Sequence, residues 1–260
     1  ARAVVDGMQS GMHRSPHKGH SVDFADHRPY VPGDDLRHLD WKVLGRSDRL
    51  VLKRYEAETD MACHIVIDGS ASMSYQGERC PLNKFQYASV MAATLAHLVL
   101  KQQDRVALQL FSEGPVVHLP PAQRNGFERL CQTLQDHECL DGTDATKGIK
   151  HIAAPETRRG LVVLFSDCMG DLEDWQHAFD RLAMRGHDVV LVWCLDPDET
   201  DLGIDAVTRF LGLEEGGELV CEPRAVRDAY KQEVEMHRLE LLELCRARRI
   251  SLTPLRFVCL

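Results

Sequence analysis

The chain has 260 residues, of which 44% are hydrophobic and 27% are charged, and its formal net charge is −9. This composition is typical of a compact folded protein with a sizeable core. The negative charge argues against general electrostatic attraction to nucleic acid or to an anionic membrane. We therefore expect a globular protein that binds no nucleic acid.

The first 60 residues differ in pattern from the rest of the chain. They are rich in His, Arg and Asp and show little helical periodicity before the strand-like run Leu50–Tyr55. Taken alone, such a composition is typical of a disordered segment. The stretch Arg28–Trp41, however, alternates arginines and aspartates around aromatic side chains, so Arg–carboxylate pairs can order it. We therefore predict an N-terminal extension, residues 1–58, packed on a main domain, residues 59–260.

Two interpretations fit the aspartates of this extension. They can be catalytic carboxylates, but their alternation with arginines favours structural ion pairs or recognition of a partner. The nearby His13, His17 and His20 stand beside Gly and Pro, so we interpret them as solvated loop residues and not as zinc ligands. The residues assigned to partner binding or structural pairing are Arg28, Tyr30, Asp34, Asp35, Arg37, Asp40 and Trp41.

From about residue 60 the pattern alternates between strands and helices. An apolar run at 62–67 predicts a central strand, and Asn83 predicts the cap of a long helix with one apolar face. Val106–Phe111 predicts the next strand, and Pro115–Leu119 predicts an antiparallel partner at the edge of the sheet.

The second half of the chain continues the alternation, which indicates an α/β fold with a doubly wound, mostly parallel sheet and helices on both faces. One stretch, 197–222, is less regular and has its turn at Glu214–Glu218. The other predicted elements are helices near 124–134, 145–152, 173–184 and 224–248, and strands at Leu161–Ser166, Val189–Cys194 and Ser251–Val258.

Two apolar strands are followed by oxygen-bearing side chains. Asp68, Ser70 and Ser72 come at the end of the first strand, and Asp167 ends a later one. Thr143 stands in a loop before a predicted helix. Because the carboxyl ends of parallel strands meet at one edge of a sheet, these groups are expected to converge there. Such oxygens suit Mg²⁺, and Mn²⁺ and Ca²⁺ accept them too. Taken alone, the motif Asp68-x-Ser70-x-Ser72 also fits an ordinary serine-rich turn after a strand.

This combination resembles the metal-ion-dependent adhesion site of von Willebrand factor A-type domains, and all five positions of that pattern are filled. The resemblance implies that Ser70 and Ser72 touch the cation directly and that Thr143 does so directly or through water. It implies that Asp68 and Asp167 supply charge largely through waters. An octahedral ion that keeps several waters leaves a position for an acidic side chain of a partner.

The N-terminal stretch carries a second resemblance. Its pattern Arg-x-Tyr-x-x-Gly-Asp-Asp-x-Arg-x-x-Asp-Trp, from Arg28 to Trp41, precedes a basic strand and then the Asp68 motif. This order resembles domain-of-unknown-function family 58, which joins such a signature to a von Willebrand factor A-like domain of Rossmann type. Members of that family are commonly associated with MoxR-type AAA+ ATPases. The resemblance therefore implies an adaptor between such an ATPase and a client protein that bears an acidic residue.

Enzyme motifs are missing from the sequence. It contains no phosphate-binding P-loop, no Gly-x-Gly-x-x-Gly and no Gly-x-Ser-x-Gly turn, so we do not expect an enzyme. Two alternatives stay open. One is a Mg²⁺-dependent hydrolase or phosphotransfer enzyme with Asp68 as nucleophile. The other is a metal-independent interaction protein that uses the Arg28–Trp41 stretch.

The cysteines indicate the compartment. There are nine of them, none in a Cys-x-x-Cys pair, which is typical of reduced thiols in a cytosolic protein. The sequence also shows no secretory signal and no apolar run long enough to cross a bilayer. We therefore expect a cytoplasmic protein without a membrane span.

Overall fold

The computed structural model describes residues 22–32, 34–35, 37, 39–57, 62–214 and 217–256. The chain divides into two compact units, Ala1–Asp60 and Met61–Leu260. The predicted loop histidines and the last residues of the predicted final strand lie outside the described residues. The predicted packing of the extension on the main domain stays a prediction.

The N-terminal unit contains an antiparallel pair of strands with a short helix between them. Strand β1 (Val22–Pro29) pairs with β2 (Val51–Ala57), and helix α1 (Trp41–Ser47) lies between them in the chain. Asp40 begins the helix by accepting hydrogen bonds from two backbone N–H groups of its first turn, and Asp48 ends it in a left-handed conformation. The sequence does not predict β1 or α1, because neither has the apolar periodicity of a buried element.

The second unit is built around a sheet whose strands are apolar runs. Every residue of the strand that ends at Asp68 is buried, as expected for a central parallel strand covered on both faces. The strands of this unit are β3 (Ala62–Asp68), β4 (Arg105–Phe111), β5 (Val117–Ala122), β6 (Leu161–Ser166), β7 (Asp188–Leu195), β8 (Thr208–Leu211), β9 (Glu218–Cys221) and β10 (Ser251–Arg256).

Six of these strands form the central sheet, in the order β10-β7-β6-β3-β4-β5. All neighbours are parallel except β4 and β5, so β5 is the predicted antiparallel edge. Pro120 and Pro121 lie in β5, where the pairing with β4 is irregular, and Pro254 lies in β10 at the opposite edge. The predicted α/β fold with a mostly parallel sheet is confirmed.

Helices connect the strands and cover the sheet. Asn83 begins the helix after β3 with a reciprocal capping box that includes Gln86, as its position in the sequence predicts. A core of buried side chains, including Phe111, Trp175 and Phe179, fills the space between sheet and helices. The helices are α2 (Lys84–Lys101), α3 (Phe127–Asp136), α4 (Ala145–Ile149), α5 (Leu172–Met184), α6 (Pro197–Asp201) and α7 (Pro223–Ala247), with 3₁₀ turns at Ala71–Ser74 and Arg124–Gly126.

The irregular stretch predicted near 197–222 contains a helix and a separate hairpin. Helix α6 follows β7 directly, and β8 and β9 pair with each other in an antiparallel two-stranded sheet. Both elements are short, which explains why periodicity in the sequence does not reveal them. None of the described helices combines the length and the apolar character needed to cross a membrane.

Candidate functional site

The candidate site lies at the carboxyl edge of the central sheet. Strands β3 and β6 are parallel neighbours, so Asp68, the last residue of β3, and Asp167, which directly follows β6, emerge at the same edge. Gly69 continues the chain in a crowded position, where an added Cβ would collide with the ring of His137. The fold therefore delivers both predicted aspartates to one place.

Asp68 is fully buried and is held by neutral donors. Its Oδ1 accepts a hydrogen bond from Ser70 N at 3.0 Å, and its Oδ2 accepts one from Ser166 Oγ at 2.7 Å. Thr143 Oγ1 lies 3.5 Å from the same Oδ2. Burial, reinforced by the nearby charge of Asp167, raises the pKa of Asp68. Among the residues that the structure describes, no cationic side chain pairs with this carboxylate.

The two predicted serines lie together beside Asp68. Ser70 is buried, and its Oγ is 3.1 Å from Ser72 Oγ. The 3₁₀ turn Ala71–Ser74 sets this proximity, because Ser70 begins the turn and Ser72 falls within it. The sequence spacing therefore places both hydroxyls in one small region.

Backbone hydrogen bonds hold the Thr143 loop against the serine loop. Ala71 N donates to Asp141 O at 2.9 Å, and Leu140 N donates to Gly69 O at 3.2 Å. Asp141 adopts a left-handed conformation with φ of 61°, which turns the chain toward Thr143. The loops that carry the three predicted hydroxyls are thus joined by main-chain contacts.

Asp167 is also fully buried, but it has a cationic partner. Lys84 Nζ donates to Asp167 Oδ2 at 2.7 Å and to Glu199 Oε1 at 2.6 Å. The Lys84 side chain is 0% exposed. Burial alone would lower the pKa of Lys84, but the charges of Asp167 and Glu199 outweigh burial and raise it. Lys84 is therefore a charged ammonium group inside the protein.

Sequence reasoning missed four side chains of this region: Lys84, Ser166, Glu199 and Glu214. One signal for Lys84 was present, because a lysine in the first turn of a helix opposes the helix dipole and needs a local reason. Glu214 is near the predicted turn, but nothing in that pattern indicates a contact with the site. In the structure, Glu214 Oε1 accepts a hydrogen bond from Ser72 N at 3.3 Å and lies 3.4 Å from Thr143 Oγ1.

The donor chemistry of the site fits a hard divalent cation. In an octahedral Mg²⁺ sphere, neighbouring oxygens lie about 3 Å apart, because each Mg–O bond is about 2.1 Å long. The separation of Ser70 Oγ and Ser72 Oγ matches this spacing. Within the described part of the chain, no group of three or more His, Cys, Asp and Glu side chains suits a metal ion. A cation here would therefore need hydroxyl and water oxygens in addition to carboxylates.

The residues predicted in the N-terminal unit are largely paired within that unit. Arg28 donates two hydrogen bonds to Asp34, at 2.8 and 2.7 Å, and Arg37 contacts Asp35. The hydrogen bonds from Arg28, together with one from the backbone of Val31, lower the pKa of Asp34 and link the end of β1 to the turn that follows it. Tyr30 is half-buried, Asp40 caps α1 and accepts a contact from His27 at 2.9 Å, and Trp41 is 64% exposed.

The chain is similar to several known proteins. An uncharacterised protein of Mycobacterium tuberculosis is 27% identical over 260 residues, which is 97% of this chain and 80% of that protein. The crystal structure of BatB from Bacteroides thetaiotaomicron, a conserved hypothetical protein, matches with a TM-score of 0.52 and 14% identity, over 76% of this chain and 91% of that one. The SpRpn10 VWA domain matches with a TM-score of 0.39 and 15% identity, over 51% of this chain and 74% of that one.

The BatB likeness concerns the fold alone, since the identity is low. A family model identifies the sequence relationship more directly. The model described as "Protein of unknown function DUF58" matches residues 26–240, which include the Arg28–Trp41 signature and the Asp68 motif. The family predicted from the residue pattern is confirmed: the chain belongs to the DUF58 family.

Proposed function

We propose that this protein is a non-enzymatic protein-interaction module that binds an acidic side chain of its partner through a divalent cation. The observation that carries the proposal is the environment of Asp68. Among the described residues, the contacts of this fully buried carboxylate are neutral donors, so its charge is uncompensated when it is ionised, which is costly in a protein interior. A cation bound beside Asp68 would compensate that charge.

The residues of the site contribute to cation binding in two ways, through charge and through hydroxyl oxygens. Asp68 supplies negative charge, and Ser70, Ser72 and Thr143 supply hydroxyl oxygens from two loops that the backbone holds together. Asp167 adds charge that Lys84 already balances in part. When bound, Mg²⁺ offers a coordination position to a carboxylate from outside. Mn²⁺ or Ca²⁺ would be held by the same oxygens.

The proposed partner is a MoxR-type AAA+ ATPase, with an acidic client protein as the second component of an adaptor complex. Support for this partner class comes from family membership and from the Arg28–Trp41 signature. Support for an interaction role comes from the site itself, where buried carboxylates and three hydroxyl groups lie close together at the edge of the sheet.

The two alternatives account less well for the contacts. For a phosphotransfer enzyme, a substrate would need to reach an oxygen of Asp68, yet Asp68 is fully buried and each of its oxygens already accepts a hydrogen bond. For a metal-independent surface in the N-terminal unit, Arg28 and Arg37 would need to be available, yet each is paired with an aspartate.

The first experiment is calorimetric titration of Mg²⁺ and Mn²⁺ into the metal-stripped full chain. We expect saturable binding that is lost in the double variant Ser70→Ala/Ser72→Ala. A matched control is Thr94→Ala, which removes an exposed hydroxyl bonded only within α2 at Val90 O. Equal binding by all three proteins, or by none, would refute the metal-dependent mechanism.

The partner is tested by capture of a purified MoxR-type ATPase on the immobilised full chain, with Mg²⁺ or with a chelator. We expect capture only with Mg²⁺, and loss of capture in Ser70→Ala. If capture is instead insensitive to the chelator and is lost in Arg37→Glu, the interaction surface lies in the N-terminal unit and the metal-dependent proposal is wrong.

A further inference from the structure

Glu214 brings an additional carboxylate to the candidate site from a distant part of the chain. Its Oε1 accepts a hydrogen bond from Ser72 N at 3.3 Å and lies 3.4 Å from Thr143 Oγ1. Ser72 and Thr143 stand on the two loops that carry the candidate hydroxyls. Glu214 is half-buried, so its carboxylate reaches these loops from a partly solvated position.

The segment that leads to Glu214 is held at its start, near residues 202–205, by two arginines of α7. Arg227 on α7 donates to Leu202 O at 3.0 Å, to Ile204 O at 3.0 Å and to Asp205 Oδ1 at 2.8 Å. Arg224 forms a second ion pair with Asp205, at 3.0 Å. These contacts hold the chain just before the β8–β9 hairpin.

The hairpin itself is held much less firmly. Its two strands pair with each other and not with the central sheet. Large apolar side chains that could fix it by burial are instead exposed, and few buried apolar contacts mean a low free energy of local opening. The exposed apolar residues on and beside the hairpin are Val207, Leu211, Leu213, Leu219 and Val220.

We propose that Glu214 is a further ligand of the cation site and fills the position that the proposed function reserves for a partner's carboxylate. The inference rests on the proposed function. Glu214 has the same chemistry as the expected partner group, and it contacts both hydroxyl-bearing loops. A partner's acidic side chain must therefore exchange with Glu214, and the apparent affinity for the partner is lowered by the fraction of molecules in which Glu214 is bound.

The test counts waters on bound Mn²⁺ by water-proton relaxation, using the metal-stripped full chain. We compare the unmodified chain with Glu214→Gln and Glu214→Asp, the second of which keeps the charge but shortens the side chain. Glu218→Gln is the matched control, because it removes one carboxylate from the same hairpin, where Glu218 faces Arg209 at 3.5 Å. Urea unfolding of each protein shows whether it is folded.

We expect both Glu214 variants to bind Mn²⁺ about tenfold more weakly and to carry one additional exchangeable water per bound ion. Acetate, used as a probe for an external carboxylate, is expected to bind the Mn²⁺-loaded Glu214 variants at lower concentration than the Mn²⁺-loaded unmodified chain, where it must displace Glu214. The control is expected to match the unmodified chain in all three readouts.

Three outcomes would overturn the inference. If the unmodified chain binds Mn²⁺ and Glu214→Gln shows the same affinity and hydration, the proposed function stands and the ligand role of Glu214 is wrong. If only the Glu214 variants bind Mn²⁺, the residue excludes the ion and is no ligand. If no protein binds Mn²⁺, the proposed function fails together with the inference.

Discussion

The two aspartates at the sheet edge are held in opposite ways. Asp68 is surrounded by hydroxyl and backbone donors, whereas Asp167 lies 2.7 Å from the buried ammonium group of Lys84. Both carboxylates are fully buried, so the difference is not one of exposure. The Asp167 half forms a structural ion pair with Lys84, whereas the carboxylate of Asp68 has no cationic partner among the described residues.

Removal of Lys84 should leave the buried carboxylate of Asp167 without a cationic partner, as Asp68 is among the described residues. In Lys84→Met, the carboxylates of Asp167 and Glu199 lose their shared cation, so we expect the free energy of unfolding to fall by about 3 to 5 kcal/mol. Urea unfolding measures this loss. Lys101→Met, at the exposed end of the same helix, serves as control. A loss as small as that of the control would mean that Lys84 does not stabilise this half.

Removal of the charge of Asp68 should abolish the response to metal. At Mg²⁺ concentrations about 100 times the dissociation constant, binding to the folded chain alone raises its free energy of unfolding by about 2.7 kcal/mol. We expect this gain in the unmodified chain and its absence in Asp68→Asn. Thermal unfolding with and without Mg²⁺ measures it, with Asp136→Asn, an exposed aspartate of α3, as control. Equal gains in all three proteins would place the metal elsewhere.

The unmodified chain and Asp68→Asn should also differ in how their free energy of unfolding depends on pH when no metal is present. Burial holds the pKa of Asp68 above its value in the unfolded chain, so the folded chain binds this proton more tightly. The resulting stability is complete below the unfolded pKa, near 3.9, and is lost as the pH rises through the folded pKa. Each unit of difference is worth about 1.4 kcal/mol. Compared with Asp68→Asn, the unmodified chain should therefore lose stability between about pH 4 and pH 7, and parallel curves would contradict this.

Sequence reasoning predicted the elements whose structure follows from the local pattern of apolar and turn residues. The apolar runs of β3, β4, β6 and β7 are bounded by turn residues and emerge as strands within one or two residues of the prediction. The position of Asp68 and Asp167 at the sheet edge was predictable because a carboxylate at the end of such a run lies at the carboxyl end of a parallel strand. The conformation of each run and the position of its last side chain follow from local pattern.

Partners from distant segments could not be predicted in this way. Lys84 and Glu199 are 115 positions apart, and Glu214 is 142 positions from Ser72, so only the assembled fold brings them together. Helix α1 and strand β1 were missed for a different reason. Capping by Asp40 and ion pairs such as Arg28 with Asp34 stabilise that unit, and such contacts leave no periodic signal.

The prolines at the two borders of the central sheet limit how this protein can associate. An edge strand usually offers unpaired N–H and C=O groups to any further strand, but proline has no N–H to donate. Pro120 and Pro121 interrupt the donor row of β5, and Pro254 interrupts that of β10. Strand addition is therefore disfavoured on both sides, so neither fibre-like stacking nor capture of an extended peptide is encouraged. The proposed contact through a cation would instead be made at the carboxyl ends of the strands, where Asp68 and Asp167 lie.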